Sequence, residues 1–210
     1  MESKTSTCVR RRSLPQWLPE VTLVLVSVGL GFGAAQYGEY RNDQNLATRI
    51  LRNLTAEVSH NQTLLKPAIP FHELWLNSLR AATPTPEQSG LDVWFATRPP
   101  MPSEVSTPFV TLRRSAWDAA LAAGSLGLLD YDLATALSEI YRAQDLVADN
   151  VNRLASGALS QTTTFDPNSG PASTRLLWLT LADIFAAEAM LLDLYLKYLP
   201  QLEAAASRRP

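Results

Sequence analysis

The sequence predicts a mainly α protein: one N-terminal transmembrane helix continuing into a soluble bundle of about four helices. Three observations carry that expectation. Residues 21–35 contain no charged side chain, which marks them as the one plausible membrane segment. Beyond them, apolar residues return every three or four positions over long stretches, the period of a helix with one buried face. Asp130, Gly124, Gly157 and Pro200 punctuate those stretches as helix caps and stops.

A helix rises about 1.5 Å per residue and must cross about 30 Å of hydrocarbon, so residues 21–35 need help from their flanks. Trp17 and Leu18 on one side and Tyr37 and Tyr40 on the other supply it as interfacial anchors. Pro19 suits a first helical turn, and Glu20 meets the positive end of the helix dipole. Gly29 and Gly33 form a G-x-x-x-G pair, the candidate seam for a homodimer in the lipid bilayer. The basic residues Lys4, Arg10, Arg11 and Arg12 exceed Arg41, Arg49 and Arg52 after the span, which favours a cytoplasmic N-terminus. The organisation expected is a basic cytoplasmic tail at 1–16, a transmembrane helix at 17–40, a helical extramembrane domain at 41–204 and a frayed end at 205–210. A cleaved signal peptide competes with this reading, since Gly33-Ala34-Ala35 resembles a cleavage site and its removal would leave a secreted helical protein.

With 210 residues, the chain beyond the anchor suffices for one domain with its own core. A net charge of −2 gives no footprint for nucleic acid. Cys8 is the only cysteine, so no internal disulfide and no C-x-x-C motif exists. Asn53-Leu54-Thr55 and Asn61-Gln62-Thr63 match the glycosylation pattern, both inside an expected helix.

From 44 to 65 the apolar face is Leu46, Ile50, Leu51, Leu54, Val58 and Leu65, with Arg49, Arg52 and Glu57 on the other side. Pro67 is expected to end that helix, and Pro70 to open a short one over 71–82. Residues 83–90 and 98–108 read as loops, and 91–96 between them as a strand-like or one-turn segment that places Trp94 and Phe95 against the core. Ser115 and Asp118 have the spacing of an N-terminal cap for a helix over 116–123, stopped at Gly124. Asp130 caps the next helix, whose buried face carries Leu137, Tyr141, Gln144 and Val151. Residues 160–171 are a polar loop. Ser173 or Thr174 then caps a last helix ending at Pro200. That helix is apolar nearly all round, yet Asp183, Glu188 and Asp193 would each cost about 2.5–3.5 kcal/mol near a bilayer centre. A central bundle helix is therefore expected, its carboxylates reaching basic partners or the bundle's edge.

The basic tail, the span near Pro19 and the pattern over 115–144 (Ser115, Trp117, Gly124, Asp130, Leu137, Tyr141 and Gln144 among its fixed positions) resemble uncharacterised bacterial single-pass inner-membrane proteins. The resemblance implies this architecture, an inner-membrane address with a periplasmic main domain, and no reaction. Metal or acid–base chemistry would need clustered ligands, and His72-Glu73 with His60 upstream lacks the H-E-x-x-H spacing. Neither a nucleophile elbow nor a phosphate loop is present, so no cofactor is expected. The function expected is a non-catalytic interaction or scaffold protein with an unidentified protein partner. The alternative is a sensor-like domain holding a small amphiphile at Trp117, Tyr141 and Gln144, a set that reads equally as core.

Overall fold

The computed structural model describes residues 17–104 and 107–207. The protein is mainly α, with six α-helices and no strand among the described residues: α1 (Trp17–Ala81), α2 (Gly90–Thr97), α3 (Ser115–Ala122), α4 (Tyr131–Arg153), α5 (Thr162–Phe165) and α6 (Gly170–Ser207). It divides into two compact units, Met1–Gln44 and Asn45–Pro210.

In the first unit Leu23, Val28, Leu30, Tyr37 and Tyr40 are exposed. Among the described residues no helix is long and apolar enough to cross a membrane. The surroundings of Gly29 and Gly33, the candidate seam, lie outside the described residues.

The second unit has a core in two parts. One joins Leu54, Val58 and Leu65 of α1 to Leu137 and Ile140 of α4 and Leu191 and Tyr195 of α6. The other joins Phe71, Trp75 and Leu79 of α1 to Trp94 of α2 and Leu177, Leu181 and Ile184 of α6. α1 does not stop at Pro67: both Pro67 and Pro70 lie inside it. An interior proline costs about 3 kcal/mol or more. Burying a large apolar side chain gains about 1.5–3 kcal/mol. Leu65, Phe71, Trp75 and Leu79 are all buried from the same helix, and together they outweigh the two prolines. Pro200 likewise lies inside α6, where Leu199 and Leu202 are buried on either side of it. Within the stretch read as a frayed end, Ala206 is buried and its carbonyl accepts from Arg52 Nε at 3.1 Å.

Residues 91–96 are helical, not strand-like. Ser89 and Asp92 form a reciprocal capping box at the start of α2, and the Ser89 side chain and backbone donors hold the Asp92 carboxyl below the usual aspartate range. α3 is followed by Gly124 in the left-handed region at φ 62°, then by a 3₁₀ turn, Ser125–Leu128. Asp130 caps α4 through the backbone N–H of Asp132, and α4 runs into a π-turn, Leu154–Ala158, that contains Gly157. α6 starts at Gly170, three residues before the expected cap, because Asp166 and the 3₁₀ turn Pro167–Ser169 lead directly into it.

Gly90 and Gly170 bring the starts of α2 and α6 together. A Cβ on Gly170 would overlap the carbonyl oxygen of Gln88, and one on Gly90 would overlap Ser173. Backbone cannot move aside as a side-chain tip can. Gly170→Ala is therefore expected to cost about 1–3 kcal/mol, the range for overpacking. Ala substitution of Gly127, which has open space, is expected to cost less than 1 kcal/mol, as is usual for surface changes. Thermal unfolding of both variants checks the contrast.

Candidate functional site

The buried polar residues of α1 organise the site. Asn61 is fully buried and forms two bonds to one residue: its Nδ2 donates to the Arg113 carbonyl at 2.7 Å, and its Oδ1 accepts from the Arg113 N–H at 2.8 Å. One turn earlier, the buried Glu57 carboxylate accepts from the Ala116 N–H at 2.8 Å, Ser115 Oγ at 3.0 Å and Tyr141 OH at 2.6 Å. Glu57 thus caps α3 from another helix, which corrects both its expected place on the outer face and the expected cap by Ser115. Asp118 turns back to Arg114 instead, at 3.0 Å, and that carboxylate raises the Arg114 guanidinium above its ordinary range. Further along, His72 Nε2 bonds the Pro108 carbonyl at 2.6 Å.

These contacts lay the connector between α2 and α3 along α1 in the opposite sense, with Pro108 at His72, Arg113 at Asn61 and Ala116 at Glu57. The spacings agree. Eleven helical residues at about 1.5 Å each span about 16 Å, and five extended residues at about 3.3 Å each span the same. Polar side chains of a helix here take the part that a neighbouring strand takes in a sheet.

His72 also bonds Glu188 of α6, Nδ1 to Oε2 at 2.6 Å, and neither side chain has any exposed surface. Each ring nitrogen of His72 therefore has an oxygen partner, Glu188 Oε2 on one side and the Pro108 carbonyl on the other. Glu73, beside His72 in sequence, faces solvent, and Asp149, Asp183 and Asp193 are exposed. No group of three metal-ligating side chains occurs among the described residues.

Trp117 and Tyr141 stack with ring centroids 4.5 Å apart and belong to the first core. Burial first, and the Glu57 carboxylate second, push the Tyr141 phenol far above its ordinary range, so it is a fixed donor. Gln144 Nε2 donates to Tyr195 OH at 2.9 Å, and Gln144 also lines a hollow of about 210 Å³ with Arg114 and Asp145. Asn61, within one glycosylation match, is too enclosed to serve as an acceptor in the folded chain.

Larger openings than this hollow lie elsewhere. One, about 380 Å³, sits where α1 ends and α6 begins, with Leu79, Arg80, Pro171, Thr174, Arg175 and Trp178 in its wall. Two more, about 410 and 380 Å³, adjoin along α4 and α6 and share Leu146 and Met190. No family model, curated protein or solved structure matches the chain.

Removing one partner of a buried charge pair typically costs about 3–5 kcal/mol, whereas replacing both with apolar residues is often near neutral. His72→Leu alone and Glu188→Leu alone are each expected to lower stability by that amount. The double variant is expected to recover much of the loss. A double-mutant cycle in chemical denaturation reads the difference, and additive losses would rule out the coupling.

Proposed function

We propose that the chain is a single-pass, membrane-anchored interaction protein without catalysis, its N-terminus cytoplasmic and its bundle on the periplasmic side of a bacterial inner membrane. The uncharged run at 21–35 carries this reading, because it lies in the same helix that supplies Leu54, Val58, Leu65 and Trp75 to the core of the second unit. The exposure of Leu23, Val28 and Leu30 fits a lipid-facing surface. The basic residues before the run support the orientation, and the resemblance of 115–144 to single-pass inner-membrane proteins supports the address.

The side chains best equipped for chemistry favour a structural account. Glu57 is committed to the start of α3, and His72 and Glu188 to each other, in places that a substrate does not reach. The exposed Leu146 and Met190, side by side between α4 and α6, offer an apolar strip for a protein partner. A second copy of the chain would meet the first through Gly29 and Gly33.

The test is the intact mass of a C-terminally tagged chain recovered from carbonate-washed membranes, with protease added to spheroplasts in parallel. Full-length mass and an outside-accessible C-terminus are expected. Recovery in the wash, or loss of the first 35 residues, would replace the anchor with a secreted domain. In the same membranes, Gly29→Leu combined with Gly33→Leu is expected to abolish crosslinked dimer, and unchanged crosslinking would discard the seam.

A further inference from the structure

The opening between the end of α1 and the start of α6 differs from the others in its charge. Arg80 and Arg175 both stand in its wall, and no carboxylate does. Neither arginine makes an ion pair or hydrogen bond among the described residues, although Asp145 and Asp118 elsewhere engage Arg114. The openings along α4 and α6, by contrast, each hold an acid as well as an arginine in the wall, Glu139 and Arg142 in one and Asp183 and Arg153 in the other.

Two further groups in the wall lack partners. Thr174, 6% exposed, has a buried hydroxyl with no hydrogen bond, and the indole Nε1 of Trp178 is likewise buried and unbonded. A buried polar group without a partner costs about 1–3 kcal/mol, so two such groups side by side in one opening need an explanation. An occupant that accepts hydrogen bonds supplies one. The first turns of α6 present the positive end of a 38-residue helix to the same place. Leu79, Pro171 and the indole face of Trp178 complete the wall with apolar surface.

We infer that this opening binds a small organic anion with an apolar body: a phosphate or carboxylate group held by Arg80 and Arg175, and a short hydrocarbon or ring laid against Leu79 and Trp178. About 380 Å³ is at the small end of ligand sites, enough for a head group and a few carbons. Guanidinium groups match such oxyanions through paired donors, and the Thr174 hydroxyl and Trp178 N–H add neutral donors that an ammonium or a hydrocarbon would not use. The site is independent of the anchor, since every residue in it belongs to the second unit.

The full-length chain in a non-ionic detergent is titrated calorimetrically with hexyl phosphate, inorganic phosphate, hexanol and hexyltrimethylammonium. Hexyl phosphate is expected to bind saturably at one site, inorganic phosphate more weakly, and the neutral and cationic probes not at all. Arg80→Gln with Arg175→Gln is expected to weaken hexyl phosphate by at least about tenfold with an unchanged melting temperature, since both side chains are exposed. Thr174→Val, which removes the unbonded hydroxyl at nearly constant shape, is expected to weaken binding without lowering stability. Absence of saturable binding, equal binding by hexanol, or full affinity in the double arginine variant would each overturn the assignment. Where the binding is present, phosphatidylglycerol vesicles that compete with hexyl phosphate identify a lipid head group as the source, and vesicles that do not compete identify a free metabolite.

Discussion

An extended segment laid against a helix must find partners for the backbone groups it turns inward, and here those partners are side chains of that helix. Asn61 and Glu57 satisfy the chain at Arg113 and at the start of α3, and His72 does so at Pro108. Everything built on α3 inherits its position from this. Trp117 reaches its place against Tyr141 because Glu57 holds the turn before it, and Tyr141 closes the arrangement by donating to the same carboxylate. A buried acid is tolerable when several donors converge on it, and Glu57 has them.

The pair of His72 and Glu188 does a different job. Its contribution to net stability is small, because desolvating two ionisable groups offsets most of their attraction. Its contribution to alignment is larger, since a slip of α6 along α1 would leave both groups buried and unpartnered. The apolar contacts around it, Phe71 and Ile184 among them, would tolerate such a slip far better. Polar groups in the interior thus specify which of several packings is adopted.

Helical periodicity made most of this fold legible: the face of α4, the cap at Asp130 and the stop signal at Gly124 follow from local rules that the structure obeys, whereas Gly157 lies inside the π-turn that extends α4. The departures come from competition between local and tertiary terms. Pro67 and Pro200 are helix stops only where burial does not outweigh the lost hydrogen bond. The helix at 90–97 was encoded by Ser89 and Asp92, a capping pair hidden by the proline-rich flanks. Asn61 and His72 fall on the same three-four spacing as Leu54, Val58, Leu65 and Trp75, so their burial was written in the pattern. Glu57, one position before Val58, lies beside that line, and nothing local indicated that the start of α3 would come to meet it. The two arginines of the opening at α1 and α6 are 95 positions apart in sequence, and only the folded chain brings them to one wall.

His72 and its partner Glu188 are separated by 116 positions. A ribosome working at about 5–20 residues per second delivers the second group several seconds after the first. During that interval Asn61 and Glu57 can find their partners at Arg113 and Ala116, but His72 stands without Glu188. Until residue 188 has been made, the face of α1 that α6 covers, with Phe71, Trp75 and Leu79 on it, stays open to other contacts. Burial of His72 therefore waits on a helix made more than a hundred residues later.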